Sequence, residues 1–221
     1  MSLRETIGYI FVRTLVRAAM LLLTRTRVRG REHLPDAGAG IVVCNHIAAV
    51  DPGILVGVLP RPIVLMSKVE NRRGMLKLFI PLVGAFTVRR GAPDRAALAI
   101  AEQVLRRGRL LCLFPEGTRS RDGALGRAHG GAALLALKTG APVIPVALTG
   151  TQRIFMRRFP WLGFPRVTVT IGQPLAPQPF AGGMGERQGR HDERDRLTDA
   201  IMARIAALLP PDQRGSYAAA C

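Results

Sequence analysis

Short apolar runs at residues 41–44, 63–66, 110–114 and 143–148 punctuate the chain. They are rich in Val, Ile and Leu and too short for helices, which is how strands buried on both faces read. A run at 166–171 alternates apolar and polar residues, the pattern of a half-buried strand, and shorter strands are expected at 28–32 and 86–88. Helical patterns fall between them at 52–59, 73–80, 93–107 and 131–139, the last stopped by Gly140. A final helix is expected at 192–209, with Leu197, Ile201, Ile205 and Leu208 on its core face, after a Pro- and Gly-rich loop at 173–190. Strands alternating with helices predict an α/β domain whose mixed, largely parallel sheet is flanked by helices.

Residues 3–23 stand apart from this alternation. At about 100° per residue, Thr6, Arg13, Arg17 and Thr24 share one narrow stripe, and most of the remaining surface is apolar. Two arginines spoil a membrane span, and the Thr24-Arg25-Thr26-Arg27 that follows is no signal-peptide cleavage site. The pattern predicts an interfacial amphipathic helix, its arginines reaching lipid headgroups. The alternative is a helix packed on the core of the domain. The expected organisation is a membrane-associating helix at 1–24, a catalytic domain at 25–210 and a tail at 211–221.

Composition narrows the partners. The net charge is +17, and all but three of the 32 basic residues are arginine, so the surface seeks polyanions. Aromatic residues make up 5% of the chain, and no basic helix or stacking-strand motif of the nucleic-acid modules occurs. An anionic membrane surface is therefore expected in preference to nucleic acid. The segments 72–80 and 154–161 mix basic and apolar residues, and the latter holds the only Trp, a residue suited to the membrane interface. Three widely spaced cysteines, two inside apolar runs, read as reduced, buried thiols.

Two apolar runs end in clusters of reactive polar residues. Residues 41–44 lead into Asn45-His46, with Asp51 five residues after the histidine. On a regular helix these two would diverge, so they meet only if the chain turns between them. An Asp that accepts from one imidazole nitrogen leaves the other as a base. A buried histidine beside a helix-capping aspartate is the alternative. Residues 110–113 lead into Phe114-Pro115-Glu116-Gly117-Thr118-Arg119-Ser120-Arg121. Gly117 permits close backbone approach, Thr118 offers a donor, and Arg119 suits a phosphate, with Glu116 beside it as an orienting group. A solvated charged turn is the alternative. Weaker clusters are Gly84 to Arg89 and the proline-bearing strand around Pro145. No phosphate-binding loop, nucleophile elbow or metal-ligand spacing competes.

Taken in order, these four blocks resemble the glycerolipid acyltransferase family. They are Asn45/His46/Asp51, Gly84/Phe86/Arg89, residues 114–120 and residues 143–146. The resemblance covers residues 28–172. It implies that His46 and Asp51 form a catalytic dyad. It implies that Asn45, Arg89, Glu116, Gly117, Thr118 and Arg119 serve the glycerophosphate acceptor, and that Pro145 lies near the acyl donor. It further implies transfer of a fatty acyl group from acyl-CoA or an acyl carrier protein to 1-acyl-sn-glycerol-3-phosphate on the cytoplasmic face of the membrane, with no cofactor and no metal. The Arg89-Arg90 pair is more like enzymes that acylate glycerol-3-phosphate itself, and His129 replaces a usual lysine. A basic peripheral lipid-binding protein without catalysis is the rival of another class.

Overall fold

The computed structural model describes residues 3–68, 86–88, 95–154, 164–177 and 187–220. The helices are α1 (Leu3–Leu23), α2 (Asp51–Val58), α3 (Arg95–Arg106), α4 (Gly131–Thr139) and α5 (Arg187–Leu208). The strands are β1 (Arg25–Arg29), β2 (Gly40–Cys44), β3 (Ile63–Lys68), β4 (Phe86–Val88), β5 (Leu110–Leu113), β6 (Val143–Thr149) and β7 (Arg166–Ile171). They form one sheet in the order β1-β7-β6-β2-β5-β3-β4. All pairs are parallel except β6 with β7, which makes the sheet mixed and largely parallel.

Successive residues of a strand point to opposite faces, and the two cores of this protein follow that rule. Val42 and Cys44 of β2, with Ile144, Val146 and Leu148 of β6, pack under α1 and α2. Their neighbours Ile41, Val43, Val143 and Ala147 pack under α3, α4 and α5. Strands β2 and β5 are buried at every position because helices cover both their faces, which is why they read as unbroken apolar runs. As β2, β5 and β6 run parallel, their carboxyl ends share one edge of the sheet. In open α/β sheets that edge is where ligands bind, and here it gathers the loops after Cys44, Leu113 and Thr149.

Several elements differ from the sequence reading. Strand β1 occupies residues 25–29 and not 28–32, because pairing with β7, from Arg25↔Arg166 to Arg29↔Thr170, sets it; Arg31–His33 wind into a 3₁₀ turn. Val28 is the only apolar side chain in this strand, so its bounds come from the partner strand and not from a local pattern. Helix α5 begins at Arg187, inside the expected loop. Its first turns are charged and carry no apolar period; a His191–Asp195 pair at 2.8 Å, one turn apart, lies there. Its buried side chains include Met202 and Ala206 beside Ile201 and Ile205, while Leu197 and Leu208 are half-buried and pack on the same core. The 211–220 stretch is docked and not a loose tail: Leu125 N donates to Gln213 O at 2.9 Å, and Tyr217 packs on the α5 side of the core. The expected helix at 73–80, the basic-apolar segment 72–80 and most of the segment 154–161 lie outside the described residues.

Helix α1 shares the core of the domain. Tyr9, Val12 and Met20 are buried against α2 and the sheet. Arg13 Nη2 donates to Leu59 O at 2.8 Å and Pro60 O at 3.1 Å, and Arg17 Nε donates to Gly57 O at 2.7 Å. The two arginines of the stripe thus bend toward carbonyls at the end of α2 that have no helical partner. The expectation that these arginines reach headgroups is corrected: their charge completes α2. The opposite face of α1 is open, with Ile7, Ile10, Phe11, Leu15, Leu21, Leu22 and Leu23 all at least half exposed.

Candidate active site

The site begins where β2 stops. After Cys44 the chain leaves the sheet, and Asn45 fills the gap with its side chain. Its Nδ2 donates to Leu148 O at 2.9 Å and its Oδ1 accepts from Leu148 N at 2.7 Å. The carboxamide imitates one more residue of the β2–β6 ladder. Asn45 is 2% exposed, so it positions the following loop and does not face an acceptor.

The loop then turns back on itself, and this turn is what brings His46 and Asp51 together. His46 Nδ1 donates to Asp51 Oδ2 at 2.9 Å. The same oxygen accepts from Ile47 N at 2.8 Å and Ala48 N at 2.7 Å. Oδ1, the other carboxylate oxygen, accepts from the hydroxyl of Thr151 at 2.6 Å. Asp51 is fully buried and satisfied on both oxygens. With Nδ1 committed to the carboxylate, Nε2 is the nitrogen available to take a proton. The imidazole keeps 17% of its surface exposed and stacks on Phe114, ring centroids 4.2 Å apart.

The loop after β5 grips the histidine backbone from both sides. Glu116 Oε1 accepts from His46 N at 2.9 Å, and Ser120 N donates to His46 O at 2.7 Å. Glu116 Oε2 accepts from Gly126 N at 2.9 Å. Glu116 is therefore a brace for His46 and the 126 loop; it does not orient Arg119. Burial raises its carboxyl above the usual glutamate range, against the lowering effect of the two backbone donors. Gly117 adopts a left-handed φ of 64°, and a Cβ there would stand 2.9 Å from the His129 ring. Both facts demand glycine, so Gly117 shapes the loop. Thr118 and Arg119 are exposed. Arg119 directly precedes the residue whose amide holds His46 O, and its side chain is open to solvent. Arg89 and Gly84 lie outside the described residues.

Pro145 is not brought to His46. It pairs in register with Val43 and lines an open cavity of about 380 Å³ with Arg29, Gly172, Arg204 and Leu208, among others. None of the dyad residues lines that cavity. The thiols of Cys44 and Cys112 are buried and poor nucleophiles. Burial holds Cys44 well above the usual thiol range and pushes Cys112 up to about 12. Among the described residues no group of three or more His, Cys, Asp and Glu side chains is placed to hold a metal ion.

A histidine hydrogen-bonded to a buried aspartate, at the carboxyl edge of a parallel sheet, is an arrangement able to take a proton from a hydroxyl. The chain belongs to the Acyltransferase family, whose model matches residues 25–149. It is similar to the 1-acyl-sn-glycerol-3-phosphate acyltransferase of Borreliella burgdorferi, 32% identical over 155 residues, covering 68% of this chain and 62% of that one. The Bacillus subtilis enzyme of the same name is 29% identical over 179 residues, covering 78% of this chain and 85% of the relative. Among solved structures, the 1-acyl-sn-glycerophosphate (LPA) acyltransferase PlsC from Thermotoga maritima matches with a TM-score of 0.64 at 25% identity, over 91% of this chain and 82% of that one.

Proposed function

We propose that this protein transfers a fatty acyl group from an acyl thioester, acyl-CoA or an acyl-loaded carrier protein, to the hydroxyl of 1-acyl-sn-glycerol-3-phosphate, producing phosphatidic acid. The observation that carries this reading is the His46 Nδ1–Asp51 Oδ2 contact of 2.9 Å. Nε2 takes the proton of the acceptor hydroxyl as its oxygen attacks the thioester carbonyl carbon. The carboxylate of Asp51 stabilises the imidazolium that forms. The C–S bond breaks, and the departing thiolate takes the proton back from Nε2. No acyl-enzyme is needed, which agrees with two buried and unreactive thiols.

Arg119, in the loop that holds the His46 backbone, binds the acceptor phosphate in this reading, and Arg89 joins it. Placing the phosphate fixes the hydroxyl against Nε2, which supplies rate by orientation. The outward face of α1 supports docking on an anionic membrane at its cytoplasmic face. Leu21, Leu22 and Phe11 are 85%, 70% and 63% exposed, a cost in water that the interface removes. Because the other face of α1 is packed on α2, the helix lies in the interface and does not span it.

The test is an acceptor panel with one acyl-CoA, comparing lysophosphatidate, glycerol-3-phosphate and lyso-lipids lacking a phosphomonoester. Lysophosphatidate is expected to be used best, and His46→Ala to lower its turnover by about 10²–10⁴-fold. A folded His46→Ala protein with turnover within a few-fold of wild type would remove the histidine from the mechanism. Equal use of the lyso-lipids without phosphate would remove the arginine site.

A further inference from the structure

Thr151 lies outside all four sequence blocks, yet its side chain touches the dyad. It follows β6 in a 3₁₀ turn, Thr151–Arg153, and is fully buried. Two features fix its place. Gly150 has a φ of 83°, and any Cβ there would fall 2.0 Å from Arg166 O, so β7 presses the turn into one shape. Arg153 N and Ile154 N then close the turn on Gly150 O and Thr151 O at 3.2 Å each. The result aims the Thr151 hydroxyl at Asp51 Oδ1, 2.6 Å away.

The donors around Asp51 are unevenly shared. Oδ2 accepts three of them: His46 Nδ1, Ile47 N and Ala48 N. All three come from the loop that Asp51 itself closes. Thr151 is the donor to Oδ1 and comes from the turn after β6, 100 residues away. It therefore ties the loop-borne dyad to the rigid end of β6. Without it, Oδ1 is left buried without a partner, and only the contacts at Oδ2 resist rotation of the carboxylate about its Cβ–Cγ bond.

We propose that Thr151 is a positioning residue for acyl transfer: its hydroxyl locks the Asp51 carboxylate in the plane that holds the His46 imidazole with Nε2 toward the acceptor. This rests on the reading of His46 as the general base. Thr151 touches neither substrate; it acts through Asp51. The hydroxyl, and not the methyl, is the working part.

The experiment compares Thr151→Val, which keeps the shape and loses the hydroxyl, with Thr151→Ser, which keeps the hydroxyl. Steady-state constants are measured for acyl-CoA and lysophosphatidate in the full chain, with His46→Ala alongside. A hydrogen bond to a charged group is worth about 1.5–3 kcal/mol, so Thr151→Val is expected to lose roughly 10- to 100-fold in kcat. Both KM values should stay within about twofold, and Thr151→Ser should recover most of the rate. If the valine variant does not fold, Thr151→Ala against Thr151→Ser makes the same comparison of hydroxyl with none. A hydroxyl-free variant with wild-type kcat, a change confined to KM, or a serine variant as slow as the hydroxyl-free one would each overturn the proposal. Since His46→Ala is read in the same assay, an active His46→Ala protein would instead overturn the general-base reading.

Discussion

Removing residues 1–23 should do more than detach the protein from a membrane; it should unfold the domain. The deletion takes Tyr9, Val12 and Met20 out of the core, where they are 2%, 5% and 8% exposed. Burial of such side chains is worth about 1.5–3 kcal/mol each, so about 5–9 kcal/mol is lost together. Three hydrogen bonds from Arg13 and Arg17 to carbonyls at the end of α2 go as well, each worth about 0.5–1.5 kcal/mol. The phenol oxygen of Tyr9, which accepts from Ile63 N at 3.2 Å, leaves that buried amide unpaired. Against a typical total stability of about 5–15 kcal/mol, the truncated chain keeps little or none. Urea denaturation followed by circular dichroism should show no cooperative transition for it. The matched perturbation of the outer face is Phe11→Ser with Leu21→Ser and Leu22→Ser. Those side chains are exposed, so the urea midpoint should shift little, as surface changes are worth about 0.5 kcal/mol or less. Sedimentation with anionic vesicles should nevertheless fall more than tenfold, because three apolar side chains no longer enter the interface. A truncated protein that unfolds cooperatively at the full-length midpoint would refute the packing argument. A triple variant that sediments like wild type would refute the interfacial one.

Two further outcomes follow from the loops around the dyad. Asn45→Ala removes both contacts with Leu148 and strands a buried N–H and C=O; at about 1–3 kcal/mol per unpaired group it should lower stability by roughly 2–6 kcal/mol, read as a drop in urea midpoint, and a midpoint equal to wild type would deny Asn45 its place in the ladder. Burial raises the Glu116 carboxyl, so the folded state holds that proton more tightly than the unfolded chain, and the Glu116 contribution to stability falls as pH rises from the unfolded value through the folded one. Glu116→Gln cannot ionise, so the stability difference between the two proteins should move in the variant's favour as pH rises from acid to neutral; parallel stability–pH curves would rule this out.

The central strands and the dyad were legible because their signals are local. Residues 41–44 and 110–113 are buried on both faces, and that needs no knowledge of partners to be seen in a run of Val, Ile and Leu. His46 and Asp51 lie five residues apart, within one loop, and the chain has only to turn for them to meet. What could not be read depends on distant segments. Strand β1 is placed by β7, well over a hundred residues away in sequence, and the Thr151 contact joins residues 100 apart. Glu116 looked like a partner for Arg119 because the two are neighbours in sequence; its carboxylate is spent on the backbone of His46 and Gly126, which only the fold brings to it. The same reason inverts α1. Its period fixed which residues share a face, but not which face turns inward. An apolar majority with two arginines suggests charge outward, toward headgroups. The unpaired carbonyls at the end of α2 decide otherwise, since they offer half-buried acceptors to a guanidinium. That choice leaves the apolar face to the outside, so one helix is a wall of the core on one side and an exposed apolar surface on the other.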